Sequence, residues 1–79
     1  MPSPTYSALV SAVGKYIDGA KAKDIVDRQL ARSGAGATPD SLDKNNSAKV
    51  IAAVATAAGL YVADQIQRQE MVERLKGVA

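Results

Sequence analysis

The sequence contains no cysteine, no histidine, no tryptophan and no phenylalanine, and its only aromatic residues are three tyrosines. Without cysteine there is no disulfide to staple a small secreted scaffold, and without cysteine or histidine there is no structural zinc site of the usual kind. Without histidine, no side chain has an ordinary pKa near neutrality, so a charge switch between about pH 5 and 8 is not expected. The same absences remove the residues most used as general bases and the most reactive nucleophile.

What remains for catalysis is thin. Ser3, Ser7 and Ser11 fall at the start of the chain and Ser33, Ser41 and Ser47 near turns, none with a base beside it. Carboxylates stand close together at Asp24 with Asp27 and at Glu70 with Glu73, but Asp24 is four residues from Arg28 and Glu70 four from Arg74. That spacing pairs opposite charges on a helix surface and reads as a salt-bridged face. Asp40, Asp43, Asn45 and Asn46 make an oxygen-rich loop, yet it lacks the internal glycine and terminal glutamate of a calcium-binding hand and reads as caps and turns. Gly34-Ala35-Gly36 has no strand before it, as a phosphate-binding loop requires, and reads as a helix stop. No catalytic residue, no metal ligand and no cofactor is expected; the chain reads as a non-enzyme.

Charge excludes less. Ten basic and eight acidic residues leave a net charge of +2, and the two signs are interspersed along the chain. The first half carries Lys15, Lys21, Lys23, Arg28 and Arg32, the candidate set for contact with nucleic acid. Asp18, Asp24 and Asp27 fall between them, and three tyrosines offer little to stack on bases. The start, Met1-Pro2-Ser3-Pro4, lacks a basic segment of signal type, so the default setting is the cytoplasm.

Against these absences stands one conspicuous presence. Val50 to Ala63 is an uncharged run containing six alanines and Gly59. At 1.5 Å per residue it covers about 21 Å, short of the roughly 30 Å of a bilayer core, so no membrane span is expected. Its heavier residues Val50, Ile51, Val54, Tyr61 and Val62 gather on one side, and the other side is alanine and Thr56 rather than charge. The pattern predicts a helix from about Lys44 to Val62, capped by Asp43 and buried nearly all round. Ala52, Ala55, Thr56 and Gly59 form its small-residue face, the candidate surface for another helix.

Elsewhere the apolar spacing predicts three more helical stretches. Tyr6, Leu9, Val10, Val13, Tyr16 and Ile17 share a face, with Ser3 or Thr5 as cap; Ala22, Ile25, Val26 and Leu30 share another from about Gly19 to Arg32. Ser33 to Pro39 stops the second helix with glycines suited to a left-handed cap, and Thr38 to Leu42 predicts a single helical turn. Asp64 caps a last helix over Gln65 to Lys76 with Ile66, Met71, Val72 and Leu75 as its apolar set, ended by Gly77.

The two halves also resemble each other. A shift of 45 places Gly14, Tyr16 and Ile17 on Gly59, Tyr61 and Val62; a shift of 46 places Asp18, Asp24, Ile25, Val26, Asp27 and Arg28 on Asp64, Glu70, Met71, Val72, Glu73 and Arg74. Two readings stand side by side: a duplicated helical hairpin with halves 5–32 and 44–77 joined by linker 33–43, or helix-forming vocabulary recurring in a short alanine-rich chain. The fold expected is all-α, a three- to four-helix bundle in one domain, with two pseudo-symmetric hairpins if the first reading holds. A chain of 79 residues buries a modest share of its surface, and with disulfide and zinc excluded the remaining support is another chain. The functional expectation is a self-associating helical module, a subunit of an assembly or a small adaptor or scaffold, with a homo-oligomer or protein partner. The alternative is a nucleic-acid-associated protein.

Overall fold

A computed structural model of the chain describes residues 2–33 and 36–78. They form four helices: α1 (Pro4–Gly14), α2 (Gly19–Ser33), α3 (Ala48–Gly59) and α4 (Gln65–Lys76). There is no strand among the described residues. α1 packs against α2 and α4, and α3 likewise packs against α2 and α4, so the helices form a closed ring around one apolar core.

Each boundary has a local cause. Ser3 caps α1, its Oγ accepting the Tyr6 N–H at 3.1 Å, and Pro4 fits the first position because its missing N–H would have no helical acceptor. Tyr6, Leu9, Ala12 and Val13 are the buried stripe of α1. Asp18 begins α2 by accepting the Ala20 N–H, and Ala22, Ile25, Val26 and Leu30 are buried as the spacing requires. Asp64 begins α4 with one carboxylate oxygen accepting from both Ile66 and Gln67.

The linker is folded. Ser41 and Leu42 both donate to the Thr38 carbonyl at 3.0 Å, making the single helical turn, and Leu42 is driven into the core at 1% exposure. Ser3 N–H donates to the Pro39 carbonyl at 2.8 Å, which straps the linker across the start of α1. Gly36 has a φ of +93°, a left-handed conformation that favours glycine, while Gly34, the other cap candidate, lies outside the described residues.

Three expectations for the second half are corrected. α3 starts at Ala48 instead of Lys44, because Asp43 accepts the amides of Asn45 and Asn46 while Asn46 accepts that of Asp43. Short polar side chains there satisfy the backbone in a turn and compete with the helix. α3 also ends at Gly59, three residues short of Val62. Nor is it buried all round: Val50, Ile51, Val54, Ala58 and Gly59 face the core, while Lys49, Ala52 and Thr56 are exposed. Ser47, at the cap position, is fully buried and its Oγ has no hydrogen-bond partner, since its helical backbone angles do not aim the side chain at the free amides.

The turns that close the two hairpins carry similar backbone hydrogen bonds. At the first turn Lys15 and Tyr16 donate to Ala12 and Val13; at the second Leu60 and Tyr61 donate to Ala57 and Ala58. Each tyrosine then reaches the opposite hairpin. Tyr16 donates to Glu70 and accepts from Arg74 Nε, both at 2.9 Å, on α4. Tyr61 lies under Lys21 Nζ, 4.7 Å from the ring centre, beside the Asp24 and Arg28 pair of α2. Asp24 and Arg28 are the residues that the sequence shift places on Glu70 and Arg74, so the exchange is reciprocal.

Candidate interaction surface

The outer faces of the two hairpins differ. On α1 and α2 the residues Tyr6, Ala22, Val26 and Leu30 are buried and Val10 is half-buried. The same shifts place Ile51, Ala55, Val72, Lys76 and Arg68 at those positions in the second hairpin. Smaller side chains at Ile51 and Ala55 and two long cations, Arg68 and Lys76, stand in those places. A depression of about 250 Å³ lies between α3 and α4, lined by Ala48, Ile51, Ala52, Ala55, Val72 and Lys76. It runs into a second of about 320 Å³ through the shared Ala55 and Val72, reaching Thr56, Gly59, Leu60 and Arg68.

All four residues of the small-residue face line this strip, though unequally. Ala52 and Thr56 are exposed, Ala55 is half-buried, and Gly59 is buried under Arg68. The Thr56 hydroxyl is turned back onto the Ala52 carbonyl at 3.1 Å, which leaves its methyl group as the outward feature. Arg68 forks both Nε and a terminal nitrogen onto the Val62 carbonyl, at 3.2 and 2.9 Å, and its stem crosses Gly59. A Cβ at Gly59 would just touch the Arg68 stem at 3.4 Å, and a larger side chain would have to displace it.

At the end of the strip stand residues that sequence reasoning assigned to the interior. Tyr61 is 56% exposed and Ile66 78%, against the expectation that both belonged to apolar packing faces; Leu60, beside them, is 84% exposed. The cause is the early end of α3, which turns Leu60 and Tyr61 outward, and the rotation of α4, which buries Met71 and Leu75 and leaves Ile66 a turn too early to reach the core. In the first hairpin the same shifts put Lys15, Tyr16 and Ala20 at these positions, with no apolar side chain of that size exposed. The signal was available in the comparison of the halves: Arg68 on Ala22 and Lys76 on Leu30 mark where the second hairpin lacks its own cover.

The basic set proposed for nucleic acid is divided. Lys23 is tied to Asp27 at 2.9 Å, and Asp27 also accepts the Tyr6 hydroxyl, so this cation belongs to a closed network on α2 and α1. Lys15 is exposed on the first turn, apart from the others. Only Lys21, Arg28 and Arg32 come together, around a shallow hollow with Tyr61 and Leu60, and there Asp24 holds Arg28 at 3.2 Å.

The Tyr6, Lys23 and Asp27 network and Leu30 line a hollow of about 380 Å³ on the first hairpin, closed on its other side by Pro2, Ala31, Ala37, Thr38 and Pro39. Burial pushes the Tyr6 phenol up, with the Asp27 carboxylate adding to it, and the hydrogen bond that Lys23 donates to Asp27 holds the Lys23 ammonium up. Tyrosine, aspartate and lysine are spent on one another, which suits a latch between α1 and α2.

Among the described residues no helix is long and apolar enough to cross a membrane, and no group of three acidic residues could hold a metal ion. No family model, curated protein or solved structure matches this chain. Its physical surface is therefore the guide to what it does.

Proposed function

We propose that this chain is a non-catalytic, self-associating helical module, a subunit of a larger assembly or a small adaptor or scaffold, acting through helix packing on the outer face of its second hairpin. The observation that carries the reading is the apolar strip made by two adjoining depressions between α3 and α4, reaching from Ala48 to Leu60. Small residues let a second helix approach closely, and a strip ending in exposed leucine, tyrosine and isoleucine gains by leaving water. A cytoplasmic setting accompanies this reading. Sedimentation velocity across low to high micromolar concentration tests it: the weight-average mass should rise with concentration, and a constant monomer mass would sink the proposal.

A second reading, association with nucleic acid, draws on Lys21, Arg28 and Arg32 around Tyr61. It requires binding to random-sequence DNA at low salt that weakens steeply as salt rises. No binding at low salt ends it.

A further inference from the structure

We infer that the hollow between α2 and the turn after α3 takes single-stranded nucleic acid, with a base stacked on Tyr61 and phosphates held by Lys21, Arg28 and Arg32. This rests on the nucleic-acid reading above and adds the form of the polymer and its contacts. The hollow measures about 140 Å³, and its lining includes Lys21, Asp24, Arg28, Arg32, Leu60 and Tyr61.

The chain holds its own control for this place. The sequence shift sets Tyr16 against Tyr61, and Glu70 with Arg74 against Asp24 with Arg28. Around Tyr16 the groups are satisfied: its hydroxyl donates to Glu70 and accepts from Arg74, both at 2.9 Å, and Arg74 approaches Glu70 at 3.5 Å. Around Tyr61 they are not. Asp24 holds Arg28 at 3.2 Å, but among the described residues the Tyr61 hydroxyl makes no hydrogen bond, and Lys21 and Arg32 make no ion pair. Those two cations stand where the second hairpin has Gln67 and Val78. Three cations against one carboxylate leave an excess of positive charge beside a ring that is 56% exposed. An anion with a flat apolar part complements this arrangement, and a nucleotide joins both in one unit.

The spacing favours a strand over a lone phosphate or a duplex. Lys21 and Arg32 are eleven residues apart on α2, about 16 Å along the helix, too far for one phosphate to bridge and suited to several in a row. A base in a duplex shows only its edge in a groove, whereas an unpaired base presents the ring face that a tyrosine can stack on. Lys21 Nζ lies 4.7 Å from the Tyr61 ring centre with no carboxylate to hold it, so it is free to move to a phosphate and leave that face to the base. An acidic protein segment would answer the charge and make no use of the ring.

Fluorescence anisotropy at low salt tests this with a labelled oligothymidine of about 15 nucleotides, a duplex of equal length and an oligoglutamate peptide. The single strand should bind most tightly, and two or three phosphate contacts should give a slope of log affinity against log salt of about −1.4 to −2.1. Tyr61→Ala should weaken binding about tenfold, while Tyr61→Phe keeps it. Arg32→Gln should flatten the slope by about 0.7, and Lys15→Gln, apart from the hollow, should leave it unchanged. No binding of either nucleic acid overturns both this inference and the nucleic-acid reading. Duplex or oligoglutamate bound as tightly as the single strand, or Tyr61→Ala without effect, overturns the single-strand inference alone.

Discussion

Asp27 shows how one side chain is fixed by competing effects. Burial works to raise its pKa, but hydrogen bonds from Lys23 and the Tyr6 hydroxyl outweigh burial and hold the carboxyl below the ordinary 3.8. A carboxyl depressed by folding contributes stability that is complete above its unfolded pKa and is lost as pH falls through its folded pKa. The contribution should therefore be present at neutral pH and disappear below about pH 4. Asp27→Asn keeps the shape and removes the charge, and should cost about 1 kcal/mol near neutrality. Thermal melts of the two proteins from pH 7 to pH 3 check this: their difference should shrink in the acid range, and a constant difference would mean that the charge on Asp27 does not stabilise the fold.

At the scale of the helices, α2 and α4 were the most legible. Their charge pairs at four-residue spacing, their capping aspartates and the residues that stop them act within one turn, so a single sequence displays them. α3 was less so. Asp43, Asn45 and Asn46 serve equally as helix caps and as turn formers, and only the tertiary position of Leu42 decides between them. The face Ala52, Ala55, Thr56 and Gly59 could be named from composition, but its exposure depends on the size of residues on α4, which no local pattern reveals. Substitutions on this face should accordingly diverge. Gly59→Leu must displace the Arg68 stem from Gly59 and its fork from the Val62 carbonyl, costing about 1 to 3 kcal/mol. Ala52→Leu points into open space and should change stability by no more than about 0.5 kcal/mol. Urea unfolding of dilute protein separates them, and equal costs would show that Gly59 is not under a clamp.

The whole molecule sets two hairpins with similar turns against each other, with different side chains on their outer faces. The turns and capping aspartates are alike, whereas Ala55 and Lys76 stand on the outer face of α3 and α4 where Val10 and Leu30 stand on α1 and α2. If the open crevice is the working surface, making the second hairpin like the first should abolish association without unfolding the chain. Ala55→Val with Lys76→Leu does this, since the matching positions hold Val10 and Leu30. Lys76 would lose only an exposed 3.6 Å contact with Glu73, and such surface pairs are worth about 0 to 1 kcal/mol. The two methyl groups added by Ala55→Val narrow the hollow between α3 and α4 and should raise monomer stability by about 1 kcal/mol. Sedimentation at high concentration should then report a monomer, with a higher urea midpoint than the parent protein at equal dilution. A double variant that is more stable yet still associates would separate the open crevice from function and move the interface to another face of the bundle.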